Sequence, residues 1–323
     1  MTVAARQGLW HRHAALAYLA VFVGVVGHAS TEFIAVLSGV AGPELSVWRF
    51  ALGGLGLVAL SLALPGSRDL LEPLRRDGVP IVVLSLLGFG VAYLAFHWAL
   101  DFATVPQVAT TVTTMPIFIG LVNLWRNGER ISGIKWISGI AAIVGIGLLL
   151  TDGALAQLAG SGPQLFGMAL ALSCAFFGGA FMIFAKPYFQ KYGALRMTTL
   201  AIVIAAIGLY VGVGLLFGIW VDFTSLAERP TGQVAALLAI GFYNTTITQY
   251  FWLGGLAAAP DITRASYLFF LKPVIAAVLV LVFLHTNPTP IEWLAIAIIC
   301  GAVAAEALVT EVQRRRRSEP RAA

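Results

Sequence analysis

The sequence predicts an all-α integral membrane protein: ten transmembrane helices forming two inverted five-helix repeats around a central cavity. Three observations carry this expectation: the scarcity of charge, the length of the apolar runs, and the recurrence of tryptophan and proline at fixed spacings. Of 323 residues, 59% are hydrophobic and only 11% are charged. A soluble domain needs roughly 25% charged residues to cover its surface. That deficit excludes a soluble enzyme, and the hydrophobicity excludes a disordered chain. The apolar runs are continuous rather than alternating, which favours helices over a membrane barrel.

A helix crossing the hydrocarbon core needs about 20 predominantly apolar residues. By that rule the spans are Ala14–Leu37, Glu44–Leu64, Val79–Leu100, Thr104–Trp125, Gly133–Leu150, Leu165–Phe184, Arg196–Ile219, Gln233–Ala257, Ile262–Leu284 and Pro290–Val309. The first run is too long for a signal peptide, and no small-residue cleavage site follows it. If the N terminus is inside, the inner segments hold Arg6 and Arg12; Arg68, Arg75 and Arg76; Arg126, Arg130 and Lys135; Lys186, Lys191 and Arg196; and Arg264. They also hold the tail residues Arg314, Arg315, Arg316, Arg317 and Arg321, which makes 17 of the 20 basic residues. The outer segments hold only Arg229, while Arg49 and Lys272 fall inside spans. Basic residues mark the cytoplasmic side, so both termini are expected in the cytoplasm of a multi-pass protein of the cell (inner) membrane. The net charge of +5 is then a topology signal rather than a nucleic-acid surface.

Trp98 and Pro106 are eight residues apart, as are Trp252 and Pro260; Pro116 and Trp136 are 20 apart, as are Pro273 and Trp293. The offsets between the two sets are 154 and 157. The chain therefore reads as two repeats, residues 1–155 and 156–323. With five spans in each, the second copy enters the membrane from the opposite side. Inverted repeats of this kind build alternating-access transporters, whose binding site lies near the midplane between the halves.

The proline-bearing fourth and ninth spans, the Gly128-Glu129-Arg130 turn, the Gly-rich fifth span and the stretch Leu45-Ser46-Val47-Trp48-Arg49-Phe50 resemble EamA-type carriers of the drug/metabolite transporter superfamily. The branch most similar is that of the aromatic and neutral amino-acid exporters. The resemblance implies a secondary transporter that exports amino acids, with other small metabolites or drugs as the alternative. The chain departs from the pattern at His285-Thr286-Asn287, where the repeat would place a second Gly-Glu turn.

An ionisable side chain inside a span is costly and is a functional candidate by default. Lys272, beside Pro273 in mid-span, is the leading candidate: it meets a substrate carboxylate or an internal gate, or else it snorkels or bonds a carbonyl freed by the proline. Arg49 lies nearer a span end, where snorkelling, or pairing with Glu44 or Glu32, explains it as well as substrate contact does. Tyr93 and His97 share a face one turn apart, and His28 shares one with Thr31 and Glu32. Thr110, Thr113 and Thr114 form a stripe that either faces the cavity or bonds its own helix. Tyr243, Asn244, Thr248, Gln249 and Tyr250 make the eighth span too polar to face lipid, so it is expected to line the interior. The expected substrate contacts are Lys272, His97, Tyr93, Thr110, Thr113, Asn244, Tyr250, Ser266, His28 and Trp48.

Gly208/Gly212 and Gly214/Gly218 have the spacing of close helix packing rather than of a nucleotide loop. No catalytic or metal-ligand spacing is present, and Cys174 and Cys300 both lie in apolar runs, so neither an enzyme nor a cofactor or metal site is expected. The expected partners are the lipid bilayer and a small-molecule substrate, while Gly139, Gly145 and Gly301 on the fifth and tenth spans are expected to pack either neighbouring helices or a second protomer.

Overall fold

In the computed structural model the described residues are 13–40, 42–103, 105–151, 153–154, 156, 162–284 and 289–318. The expected turn at His285-Thr286-Asn287 lies outside them. Within them the chain is helical with no strand. Helix α1 comprises Ala14–Ala29 and Thr31–Leu37, α2 is Gly42–Ala63, and α3 is Leu71–Ala99. Helix α4 comprises Val105–Val112 and Met115–Asn127, followed by α5 (Gly133–Thr151), α6 (Gly162–Tyr192) and α7 (Ala194–Phe217). Helix α8 runs through Thr231–Leu238, Ala239–Ile247 and Thr248–Ala258, and α9 through Ile262–Ser266, Tyr267–Leu271 and Lys272–Leu284. Helix α10 is Pro290–Ser318. Among the described residues, eight helical segments are long and apolar enough to cross a membrane, one in each of α1 to α7 and α9.

The interruptions follow from local chemistry. Pro116 and Pro273 lack the amide proton that would continue the helix, and α4 and α9 both break just before them. In α4 the break falls at Thr113 and Thr114, whose hydroxyls donate to Ala109 O (2.6 Å) and Thr111 O (2.6 Å). In α9 it is a 3₁₀ stretch, Tyr267–Leu271. Helices α3 and α8 carry wide π-helical turns, Leu86–Val91 and Ala239–Ile247, where the Ala92 and Thr248 amides reach back to the Leu87 and Tyr243 carbonyls. Such turns add a residue to the helix without ending it, and they concentrate at functional sites.

Helices α1 and α8 pack together, as do α3 and α6, α2 and α7, and α5 and α10. The last pair forms a separate apolar cluster with Tyr267, Phe270 and Val274 of α9, and in it Gly145 lies against Ile298 and Ile299. Ion pairs gather at the two ends of the bundle. At the end richer in basic residues, Lys135 pairs with Asp261 (2.5 Å), Lys191 with Asp77 (2.7 Å) and Arg196 with Glu72 (2.7 Å). At the far end Glu44 accepts from Arg229 (3.1 Å) and from the Trp48 indole (3.1 Å). Asp101, against Gly42, has its carboxyl pushed up by burial. Asp222 is held below the usual carboxylate range by the Thr224 hydroxyl and amide that it accepts.

Candidate functional site

A small cavity lies at mid-depth where the broken helices meet α1, α2, α3, α6 and α8. Helices α4 and α9 each contribute the residue immediately before their proline, Met115 and Lys272. Helix α1 supplies His28 and Thr31; α2 supplies Arg49; α3 supplies Ala92, Tyr93 and Phe96. Val112 of α4, Cys174 and Gly178 of α6, Trp252 of α8 and Phe269 of α9 complete the wall. Broken helices converging at mid-membrane are the usual way a transporter exposes polar groups to a substrate without exposing them to lipid.

Two cations face this space. Lys272 is 7% exposed, with its Nζ 5.8 Å from the Phe269 ring centroid. Arg49 is 1% exposed; it donates through Nε to Thr245 Oγ1 (3.1 Å) and through Nη2 to Asn244 O (3.4 Å), and lies 4.9 Å from the Tyr93 centroid. Arg49 therefore points inward and ties α2 to the π-helical part of α8. The Tyr93 hydroxyl accepts from Gln249 Nε2 (2.5 Å), and its ring meets Phe50 edge-on (4.9 Å). His28 is wedged edge-on between Trp252 and Phe269, each 5.7 Å away, and its buried Nε2 has no hydrogen-bond partner among the described residues.

Of the ten expected contact residues, the structure brings Lys272, Tyr93 and His28 together. His97 is fully buried behind them, with Nδ1 2.6 Å from Ser46 Oγ on α2. Thr113 bonds its own helix, and Ser266 donates to Thr263 O (2.7 Å). Thr110 is half-buried on α4 and outside the wall. Asn244 fastens α8 to α1, donating to Gly27 O (2.6 Å) and Ser30 Oγ (3.0 Å). Tyr250 is half-buried against Phe251, and Trp48 stands at the far end with Arg229 over its ring. The Glu32 side chain lies outside the described residues.

The sequence reading did not single out Thr31, Phe96, Met115, Cys174, Trp252 or Phe269 as substrate contacts. The positions of Met115 and Trp252 carried a signal: one precedes the repeated proline and the other is the repeated tryptophan. The two tryptophans fare differently, because Trp98 sits outside the cavity among Phe102, Phe166 and Phe217.

The cavity's open volume is about 50 Å³. That is room for a few water molecules, against roughly 300 Å³ or more for ordinary ligand pockets. The cavity as it stands is too small for such a ligand.

A profile of the EamA-like transporter family matches the chain twice, over residues 11–151 and 165–305. An uncharacterized transporter of Archaeoglobus fulgidus is 23% identical over 248 residues, covering 76% of this chain and 80% of the relative. Another, from Clostridium kluyveri, is 21% identical over 228 residues, covering 67% and 71%. A solved crystal structure superposes with a TM-score of 0.75 at 22% identity, covering 94% of this chain and 99% of that one, a likeness of fold. With both halves matched by one family profile, the apolar helices and the buried mid-depth cavity belong to a multi-pass membrane protein, and the chain is a member of the EamA-like transporter family.

Proposed function

We propose that the protein is a secondary carrier that exports amino acids, aromatic and neutral ones foremost, by alternating access between two inverted five-helix halves. The observation that carries the substrate class is the cavity wall: Arg49 and Lys272 beside the rings of Tyr93, Phe96, Trp252 and Phe269. Cations suit a carboxylate, and aromatic faces suit a flat apolar side chain or an ammonium. The open His28 Nε2 adds a further hydrogen-bonding position.

The two-fold relation between the halves, inverted because each holds five spans, is supported by the packing. A two-fold relation between halves would exchange α1 with α6 and α3 with α8, and would map α2 onto α7 and α5 onto α10. The observed pairs α1·α8, α3·α6, α2·α7 and α5·α10 are unchanged by that exchange. Breaks before Pro116 and Pro273, and π-helical turns in α3 and α8, recur in the same way. We read all of α1 to α10 as spans, with the basic end in the cytoplasm. Transport then alternates between parting the polar pairs of the basic end and those around Glu44 at the far end.

The test is counterflow in proteoliposomes with labelled phenylalanine, leucine, a cationic drug and a sugar. Phenylalanine and leucine accumulate against preloaded unlabelled substrate. Counterflow of the drug alone would reassign the cavity to that class, and solute flux without counterflow would indicate a channel.

A further inference from the structure

A second cleft opens at the basic end, between the end of α4, the end of α6 and the start of α9. It is lined by Asn123, Arg126, Asn127, Glu129, Lys186 and Gln190, and its open volume is about 280 Å³. Glu129 belongs to the Gly128-Glu129-Arg130 turn. Gly128 makes that turn by ending α4 in the left-handed region (φ 69°), which favours glycine. The turn sets Glu129 beside Asn123, whose Nδ2 donates to Glu129 Oε2 (2.7 Å) and, more weakly, to Thr263 Oγ1 of α9 (3.4 Å). Lys186 Nζ donates to Ala259 O (3.2 Å), and Arg126 is held 5.2 Å from the Phe184 ring.

This cleft is in line with the central cavity. Met115 and Asn123 are eight residues apart on α4, as are Gly178 and Lys186 on α6. At 1.5 Å per residue both helices place the cleft about 12 Å below the cavity. Between the two, Ile119 is fully buried against Gly179, where an added Cβ would lie only 3.2 Å from the Ile119 amide nitrogen. That contact is an apolar barrier, closed because α6 has no side chain there.

We propose that this cleft is a second binding site for the transported zwitterion, from which it passes over the Ile119–Gly179 barrier into the central cavity. The inference rests on the amino-acid reading above. Glu129 receives the ammonium, while Lys186 and Arg126 receive the carboxylate. The cleft's volume approaches the lower end of ligand pockets, about 300 Å³, whereas the central cavity is far below it. The ammonium competes with Asn123 for Glu129. It thereby releases Asn123 toward Thr263, on the segment of α9 that leads to Lys272.

The experiment measures phenylalanine transport in proteoliposomes of fixed orientation, with substrate offered to either end. Glu129→Gln and Lys186→Gln each raise the half-saturating concentration from the basic end about ten-fold, the loss of one charged hydrogen bond. They leave it unchanged from the far end, and Lys186→Arg largely restores it. Lys186→Gln leaves phenethylamine, which lacks the carboxylate, unaffected; Glu129→Gln leaves phenylpropionate, which lacks the ammonium, unaffected. If a neutral variant fails to fold, Glu129→Asp is measured instead, with a smaller rise expected at the basic end alone. Unchanged half-saturation, or an equal rise from both ends, overturns the site. Wild type that carries phenylalanine while the variants match it overturns the cleft alone; wild type that carries none overturns the amino-acid reading as well.

Discussion

Replacing Lys272 by Met removes one of the two cations in the central cavity at nearly constant side-chain length. The expected result is loss of amino-acid transport without loss of fold. Lys272 is 7% exposed and lines the same cavity as Phe269, Trp252 and His28, so a carboxylate bound there is largely screened from water. A hydrogen bond to a charged group is worth about 1.5–3 kcal/mol, which is roughly a ten- to hundred-fold rise in the half-saturating concentration. Met keeps the length of the side chain and its contact with Phe269, so the packing of this wall is retained. Transport of phenylalanine and phenethylamine is measured beside the thermal midpoint in detergent. The variant loses its preference for phenylalanine and still unfolds in a single cooperative transition. A variant that carries phenylalanine normally but melts earlier would show Lys272 to be structural and refute the reasoning.

Further predictions follow from the same geometry. On a Cys300→Ser background, Cys174 is the one remaining thiol and lies on the cavity wall, so bound substrate slows its reaction with a membrane-permeant maleimide; labelling indifferent to every substrate would remove it from the pathway. Gly179→Val forces α4 from α6, since even a Cβ meets the Ile119 backbone, so Cys174 becomes more reactive toward reagents added at the basic end. Ser46→Ala leaves the buried His97 Nδ1 without its 2.6 Å partner and lowers stability by about 1–3 kcal/mol, read as an earlier thermal midpoint with unchanged substrate preference. Single cysteines at positions 155 and 287 are labelled by impermeant reagents in intact cells, and a tail cysteine is not; the reverse pattern would invert the topology.

Much of this architecture is determined by the sequence alone, because a membrane imposes a one-dimensional rule. An apolar run of the right length forms a helix, and an ion inside one stands out, which is why Lys272 was legible. Proline marks only where a helix can break: α4 and α9 break at Pro116 and Pro273, whereas α6 runs on through Pro187. The charge bias marked one end of the bundle, and the ion pairs of Lys135, Lys191 and Arg196 gather there.

What each helix face meets was decided only in three dimensions. In a soluble protein, polarity separates inside from outside along a helix. Here lipid, neighbouring helices and cavity walls all accept apolar residues, so Phe96, Trp252 and Phe269 carried no contrast that would single them out. Hydroxyls were equally ambiguous, because a helix can satisfy them itself, as Thr113 does with Ala109 O. Tyr93 and His97 share a face by helical spacing, yet one meets the cavity and the other bonds Ser46, because α2 crosses between the two settings. Arg49 was poised between snorkelling and pointing inward. The choice fell to Thr245 and Asn244, nearly 200 residues away in sequence, which offer it acceptors from the π-helical part of α8.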